Sequence, residues 1–120
     1  MLRLTVSKPK KRKFPPRPKA SYQLEEVRQK IQNGNVRIAG NAYAGAFRDF
    51  GWGKQDIFDV YMRLKNHHFY KTESSKLSRL TMIDFYKIRY MGEDVYTHFY
   101  INDYSGELVI NSFKQDRGEL

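Results

Sequence analysis

Leu24, Val27 and Ile31 recur at the three-to-four-residue spacing of one helix face, with Glu25 and Glu26 in the first turn, where the helix dipole favours acidic groups. Ser21 precedes them as an N-cap candidate, and the pair Asn33-Gly34 supplies a stop because both residues tolerate left-handed backbone. A second, short helix is predicted from a cap at Asn41 through Arg48. Its alanines (Ala42, Ala44, Ala46) suggest close packing, and an aromatic-glycine turn, Phe50-Gly51-Trp52-Gly53, follows. A third helix, about residues 55–65, places Ile57, Val60, Tyr61 and Leu64 on one face. From residue 68 the period shortens to two. Phe69 and Tyr70 begin a short strand, residues 72–78 read as a polar loop, and strands are predicted over 81–90, 95–101 and 107–114. The separators are short and carry Gly, Asp and Asn, so an antiparallel meander is the economical topology. Helices first and strands second make the α+β class, helices packed on a twisted antiparallel sheet.

Alternation also sorts the side chains of a strand into two faces. Val95, Thr97, Phe99 and Ile101 form a core-like set, whereas Tyr96, His98 and Tyr100 share the other face. That second set fits the wall of a cleft. It equally fits ordinary half-buried aromatics whose polar tips reach water.

A length of 120 residues suits one domain. The net charge of +9 comes from 22 basic and 13 acidic residues, and it is unevenly placed. Residues 1–19 contain eight basic side chains, no acid and all four prolines, leaving 14 basic and 13 acidic residues for 20–120. The chain therefore divides into a basic, Pro-rich flexible tail over 1–19 and a nearly neutral domain over 20–120. The tail could raise the encounter rate with a polyanion or simply confer solubility. Absence of cysteine excludes disulfides, thiolate chemistry and Cys-based zinc sites, so a cytoplasmic protein is expected. No apolar run approaches the roughly 20 residues that span a bilayer, and Met1 to Val6 is too short and interrupted for a signal peptide, so no membrane association is expected.

Nucleophile elbows, phosphate-cradling glycine loops and HExxH motifs are all missing. His67 and His68 are adjacent and would diverge on an extended chain, so neither a metal site nor a cofactor is expected. What remains between residues 70 and 100 is a basic and aromatic set: Lys71, Lys76, Arg79, Lys87 and Arg89, with Tyr70, Tyr86, Tyr90, Tyr96 and Tyr100. Cations neutralise phosphates and aromatic faces stack on unpaired bases, which suits single-stranded nucleic acid. A solvated sheet face with snorkelling lysines has the same composition. RNA also carries its own nucleophile. Cleavage requires a group to take the 2′-hydroxyl proton, cations to stabilise the charged phosphorane, and a donor for the leaving 5′-oxygen.

The run His68-Phe69-Tyr70-Lys71, followed by Asp84-Phe85-Tyr86, Val95-Tyr96 and Ser112-Phe113-Lys114, resembles the MqsR family of toxins in both identity and spacing. The likeness includes the Gly51-Trp52-Gly53-Lys54 turn and extends over about residues 11–116. It implies a RelE-like microbial ribonuclease fold and an mRNA interferase of a type II toxin-antitoxin system, which cleaves single-stranded mRNA without the ribosome, preferentially near GCU; the cleavage chemistry set out above requires no metal. It also implies an MqsA-like antitoxin partner, zinc-binding with a helix-turn-helix part. By this resemblance Lys71, Tyr96 and Lys114 stand at catalytic positions, with Lys71 stabilising the phosphorane or donating a proton and Tyr96 as its proton-transfer partner. Arg79, Tyr86, Lys87 and Arg89 are the candidate RNA-binding residues.

Two departures from the family pattern bear on activity. Ile83 stands where the family commonly has a glutamine implicated in activity, and isoleucine neither donates nor accepts a hydrogen bond. Thr72-Glu73-Ser74 and Ser78-Arg79 replace a Ser-Met-Thr run and an Asp-His pair; Arg79 could supply the charge of the histidine. A catalytically weakened RNA-binding or antitoxin-binding module of the same fold is therefore the alternative expectation. A DNA-binding regulator using the tail comes last, since no recognition-helix motif is present.

Overall fold

A computed structural model of the chain describes residues 19–78 and 80–118. The basic stretch before residue 19 and Arg79 lie outside the described residues, and with them the expectations of a flexible tail and of an RNA contact at Arg79.

The elements run α1 (Leu24–Gln32), β1 (Val36–Ile38), α2 (Gly40–Phe50), α3 (Lys54–Arg63), a 3-10 turn (Asn66–His68), β2 (Phe69–Ser74), β3 (Met82–Tyr90), β4 (Glu93–Ile101) and β5 (Leu108–Gln115). In space the strands lie in the order β1-β5-β4-β3-β2. The meander from β2 to β5 is antiparallel as expected, and α+β holds. β1 makes the sheet mixed, because Val36–Ile38 pairs in parallel with residues 108–110. It is secured at both ends, by the Leu108 amide on the Asn35 carbonyl (3.0 Å) and the Ala39 amide on the Ile110 carbonyl (2.9 Å). β3 turns into β4 through two residues, Met91 and Gly92, both at positive φ, which is the backbone a tight twisted hairpin needs.

The three helices pack on one sheet face. Leu24, Val27, Ala42, Ala46, Ile57, Val60 and Tyr61 meet Tyr86, Ile88, Val95, Phe99, Ile110 and Phe113, all buried. Aromatic rings dominate: Phe99 has Tyr61 edge-on at 5.6 Å and Tyr86 stacked at 5.7 Å. A deep polar contact there is satisfied. Thr97 Oγ1 donates to the Ser112 carbonyl (2.6 Å), so the Tyr61 hydroxyl donates to Thr97 (2.6 Å). The alanine-rich helix does pack closely, and Gly45 lies directly against β5: a Cβ there would drive into the Phe113 backbone carbonyl.

Three expectations about the ends of elements change. β2 continues to Ser74 instead of yielding to a loop at residue 72, because residues 71–74 remain paired with β3. Gln23, not Ser21, is the N-cap of α1, and it makes no side-chain cap. Ser21 is used differently. Its amide and that of Tyr22 donate to the two oxygens of the fully buried Asp84 carboxylate (3.0 and 2.9 Å), which ties the start of α1 to the sheet. Finally, α2 starts at Gly40, and the Asn41 amide group donates to the Asn111 carbonyl (3.2 Å) across to β5.

Candidate functional site

The sheet face turned away from the helices carries the basic and aromatic residues in two rows. Register across the strands places Lys71 beside Phe85, Phe85 beside His98, and His98 beside Ser112. The next row sets Lys87 beside Tyr96 and Tyr96 beside Lys114. β2 reaches this arrangement through an irregularity: Phe69 pairs with Tyr86 while Lys71 pairs with Phe85, so two steps of β2 match one of β3. Such a bulge re-aims side chains. Phe69 stays against the core, edge-on to Tyr86 at 5.7 Å, while Tyr70 joins the second row, its ring 6.1 Å from that of Tyr96.

Cations surround the Tyr96 ring. The ammonium groups of Lys87 and Lys114 lie 5.7 and 5.6 Å from its centroid, and Lys87 also sits 4.2 Å over Tyr70. Lys71 lies 4.7 Å over Phe85, whose ring is 6.0 Å from Tyr96 and 4.5 Å from His98. Tyr96 is only 6% exposed, so a substrate meets its rim.

Electrostatics fix two protonation states. Lys71 Nζ pairs with Glu73 Oε2 at 2.8 Å, and that carboxylate pushes the Lys71 pKa above the ordinary lysine value. Lys71 is therefore a standing cation at neutral pH. His98 goes the other way: burial, then the charges of Lys114 and Lys71, lower its pKa to about 4 and leave a neutral imidazole. Its Nδ1 lies 3.5 Å from the Asn111 side-chain nitrogen. The face thus offers fixed positive charge, a phenol among cations and a neutral nitrogen base. Charge-assisted contacts to a phosphodiester and proton transfer at its ester oxygens are the chemistry such a set can perform.

Lys71, Lys87, Tyr96 and Lys114 are brought together as expected from the sequence. Arg89 lies on the same face at the end of β3, paired with Asp94 at 2.7 Å. Tyr86 requires a correction: it is fully buried on the helix side, where burial pushes its pKa up to about 12, and it cannot stack on a base without opening the core. His98, Phe85 and Glu73 were not among the expected site residues. The alternation of Tyr96, His98 and Tyr100 was the available signal for His98; nothing local marks Glu73, whose role depends on Lys71 two residues earlier on a strand. Among the described residues no three histidine or carboxylate side chains gather at one point, and no helix is long and apolar enough to cross a membrane.

A family model described as "Motility quorum-sensing regulator, toxin of MqsA" matches residues 19–115. No protein of curated function matches the chain.

Proposed function

The chain belongs to the MqsR toxin family, and from that premise we propose that it is an endoribonuclease toxin that cuts single-stranded mRNA, preferentially near GCU, in the cytoplasm. The family description, a toxin of MqsA, supports a cognate antitoxin as the partner; an MqsA-like one, zinc-binding with a helix-turn-helix part, would neutralise it. The observation that carries the reading is the Tyr96 ring held between the Lys87 and Lys114 ammonium groups, one row from Lys71.

In the proposed reaction the RNA 2′-oxygen attacks the adjacent phosphorus, and the bond from phosphorus to the 5′-oxygen breaks. A 2′,3′-cyclic phosphate and a free 5′-hydroxyl result. Lys71, kept charged by Glu73, and Lys114 stabilise the extra negative charge of the phosphorane. Tyr96 transfers a proton at the reacting oxygens, and neutral His98 is available to accept the one released by the 2′-hydroxyl. Lys87 and Arg89 bind flanking phosphates. Because the nucleophile belongs to the RNA and lysines supply the charge, the reaction needs no metal ion.

Ile83 favours a second reading, an inactive RNA-binding or antitoxin-binding module, since it places an apolar side chain directly opposite Glu73 at the edge of the face. One experiment separates the two: purified protein with a long unstructured RNA in EDTA, wild type against Tyr96→Phe, with the 5′ ends of the products mapped. Discrete cuts, lowered at least ~100-fold in the variant, are expected. Equal cutting by both proteins would remove Tyr96 from the mechanism. Bound but uncut RNA would establish the binding module.

A further inference from the structure

Beyond the two rows, a second group of cations gathers where the end of α3 meets the end of β3. Arg63, Lys65 and Arg89 line an open cavity of about 320 Å³ together with His68, Ile88 and Tyr90, a volume at the small end of ligand sites. Among the described residues no carboxylate lies within ion-pair distance of Arg63 or Lys65. Arg89 has Asp94, but both side chains are more than half exposed (66% and 56%), so that pair is weak and its guanidinium can turn to a stronger anion.

The polar groups of the cavity are already oriented. The Arg63 guanidinium lies 5.7 Å over the Tyr90 ring, and Tyr90 is itself held edge-on by Trp52 at 5.7 Å. A stacked guanidinium keeps its edge free for bidentate contact with phosphate. His68 Nδ1 accepts the Lys65 amide (2.9 Å), which leaves the ring proton on Nε2 as a donor. Burial and the neighbouring His67 and Lys65 lower its pKa, so the imidazole keeps that neutral form.

The cavity adjoins a depression that reaches Lys87 of the site already described. This smaller depression, of about 200 Å³ and lined by Lys87, Ile88, Arg89, Asp94 and Asp116, shares Ile88 and Arg89 with it. Its two acids are matched, Asp116 to Lys87 at 3.7 Å and Asp94 to Arg89 at 2.7 Å. Lys87, beside Tyr96, and Arg89 follow one another on the open face, about 6.8 Å apart along the strand, whereas Arg63 and Lys65 lie round the edge of β3, on the helix side with Tyr90.

We propose that this cavity is a phosphate subsite for the RNA strand beyond the cleaved bond, with Arg63 and Lys65 as its principal contacts and Arg89 as the step that joins it to the cleavage site. The assignment rests on the ribonuclease reading, and it makes affinity depend on RNA length. A strand of about 4 nucleotides fills the rows around Tyr96, whereas one of about 12 continues over Arg89 into the cavity.

The test is binding of 2′-O-methyl oligoribonucleotides, which cannot be cut, at about 4 and about 12 nucleotides over a range of salt. Wild type is compared with Arg63→Gln/Lys65→Gln, and with Lys30→Gln/Arg37→Gln, which loses the same charge around β1 at the far edge of the sheet; thermal midpoints verify that each is folded. The first variant should bind the long strand at least ~10-fold more weakly, with its log-log salt slope reduced by about 1.4, the value for two lost phosphate contacts. The short strand and the distant variant should change by less than ~2-fold. Equal slopes for wild type and the first variant, or an equal loss in the distant variant, would overturn the subsite while leaving the ribonuclease reading intact, and would leave the patch to an acidic protein segment. A wild type that binds neither strand would overturn both.

Discussion

Asp84 gives the sharpest separation between what holds this molecule together and what it does. It sits in β3 between two residues of the open face, Ile83 and Phe85, yet its carboxylate points into the protein and accepts the Ser21 and Tyr22 amides at 3.0 and 2.9 Å. Asp84→Asn keeps the shape and removes one acceptor. One amide stays bonded to the remaining oxygen, and the other faces an NH2 group. A hydrogen bond to a charged acceptor contributes about 1.5–3 kcal/mol, and no cavity is created, so a loss of about 2–3 kcal/mol is expected. For a domain of this size that lowers the thermal midpoint by on the order of 10 °C. Urea titration is the assay: the midpoint should fall with an unchanged slope, since the surface exposed on unfolding is the same. RNA cleavage per folded molecule, measured well below the new midpoint, should stay within a few-fold of wild type. A midpoint that does not move, or a variant that is fully folded but inactive, would refute the reading of Asp84 as a structural clip and return it to the site.

Gly45→Ala should destabilise by ~3 kcal/mol or more, because the obstacle is the rigid Phe113 carbonyl and not a side chain that can turn away, whereas Gly40→Ala meets open space and should be neutral or slightly stabilising; paired urea titrations check both. His98 makes stability depend on pH. Its folded pKa, about 4, lies below its unfolded value near 6.5, so the native state resists the proton that the unfolded chain accepts. Stability from this source is complete above pH 6.5 and is lost as the pH falls toward 4, and His98→Gln should flatten that part of the profile, as chemical denaturation at a series of pH values would reveal.

The helices were legible because each carries its own apolar face, and α3, with Ile57, Val60 and Tyr61 buried, is the plainest case. β1 was not. Three residues are too few to display a period, and Val36–Ile38 is a strand only because residues 108–110 lie beside it, some seventy positions later. The end of β2 was obscured by polarity: Thr72, Glu73 and Ser74 read as a loop but are an edge strand whose pairing lies on one side only. Lys71, Tyr96 and Lys114, singled out through the family resemblance, and Lys87, singled out through composition, lie together on the open face. Tyr86 was misplaced because it was grouped by composition with Lys87 and Arg89, whereas strand alternation puts it on the opposite face, with Asp84 and Ile88. The bulge that turns Tyr70 and Lys71 the same way has no local signature, and the low basicity of His98 comes from burial and then from Lys114 on another strand.

β5 lies between β1 and β4, receives α2 at the Gly45 contact, and carries Lys114. Every other described element precedes it along the chain. During synthesis, then, β1 waits without a partner, α2 has no surface to settle on, and the face around Tyr96 lacks one of its flanking cations until residues 108–115 have left the ribosome. Vectorial synthesis delivers helices and a partial hairpin sheet first and the keystone afterwards. A chain that ends before residue 108 can neither pair β1 nor complete the charged face around Tyr96.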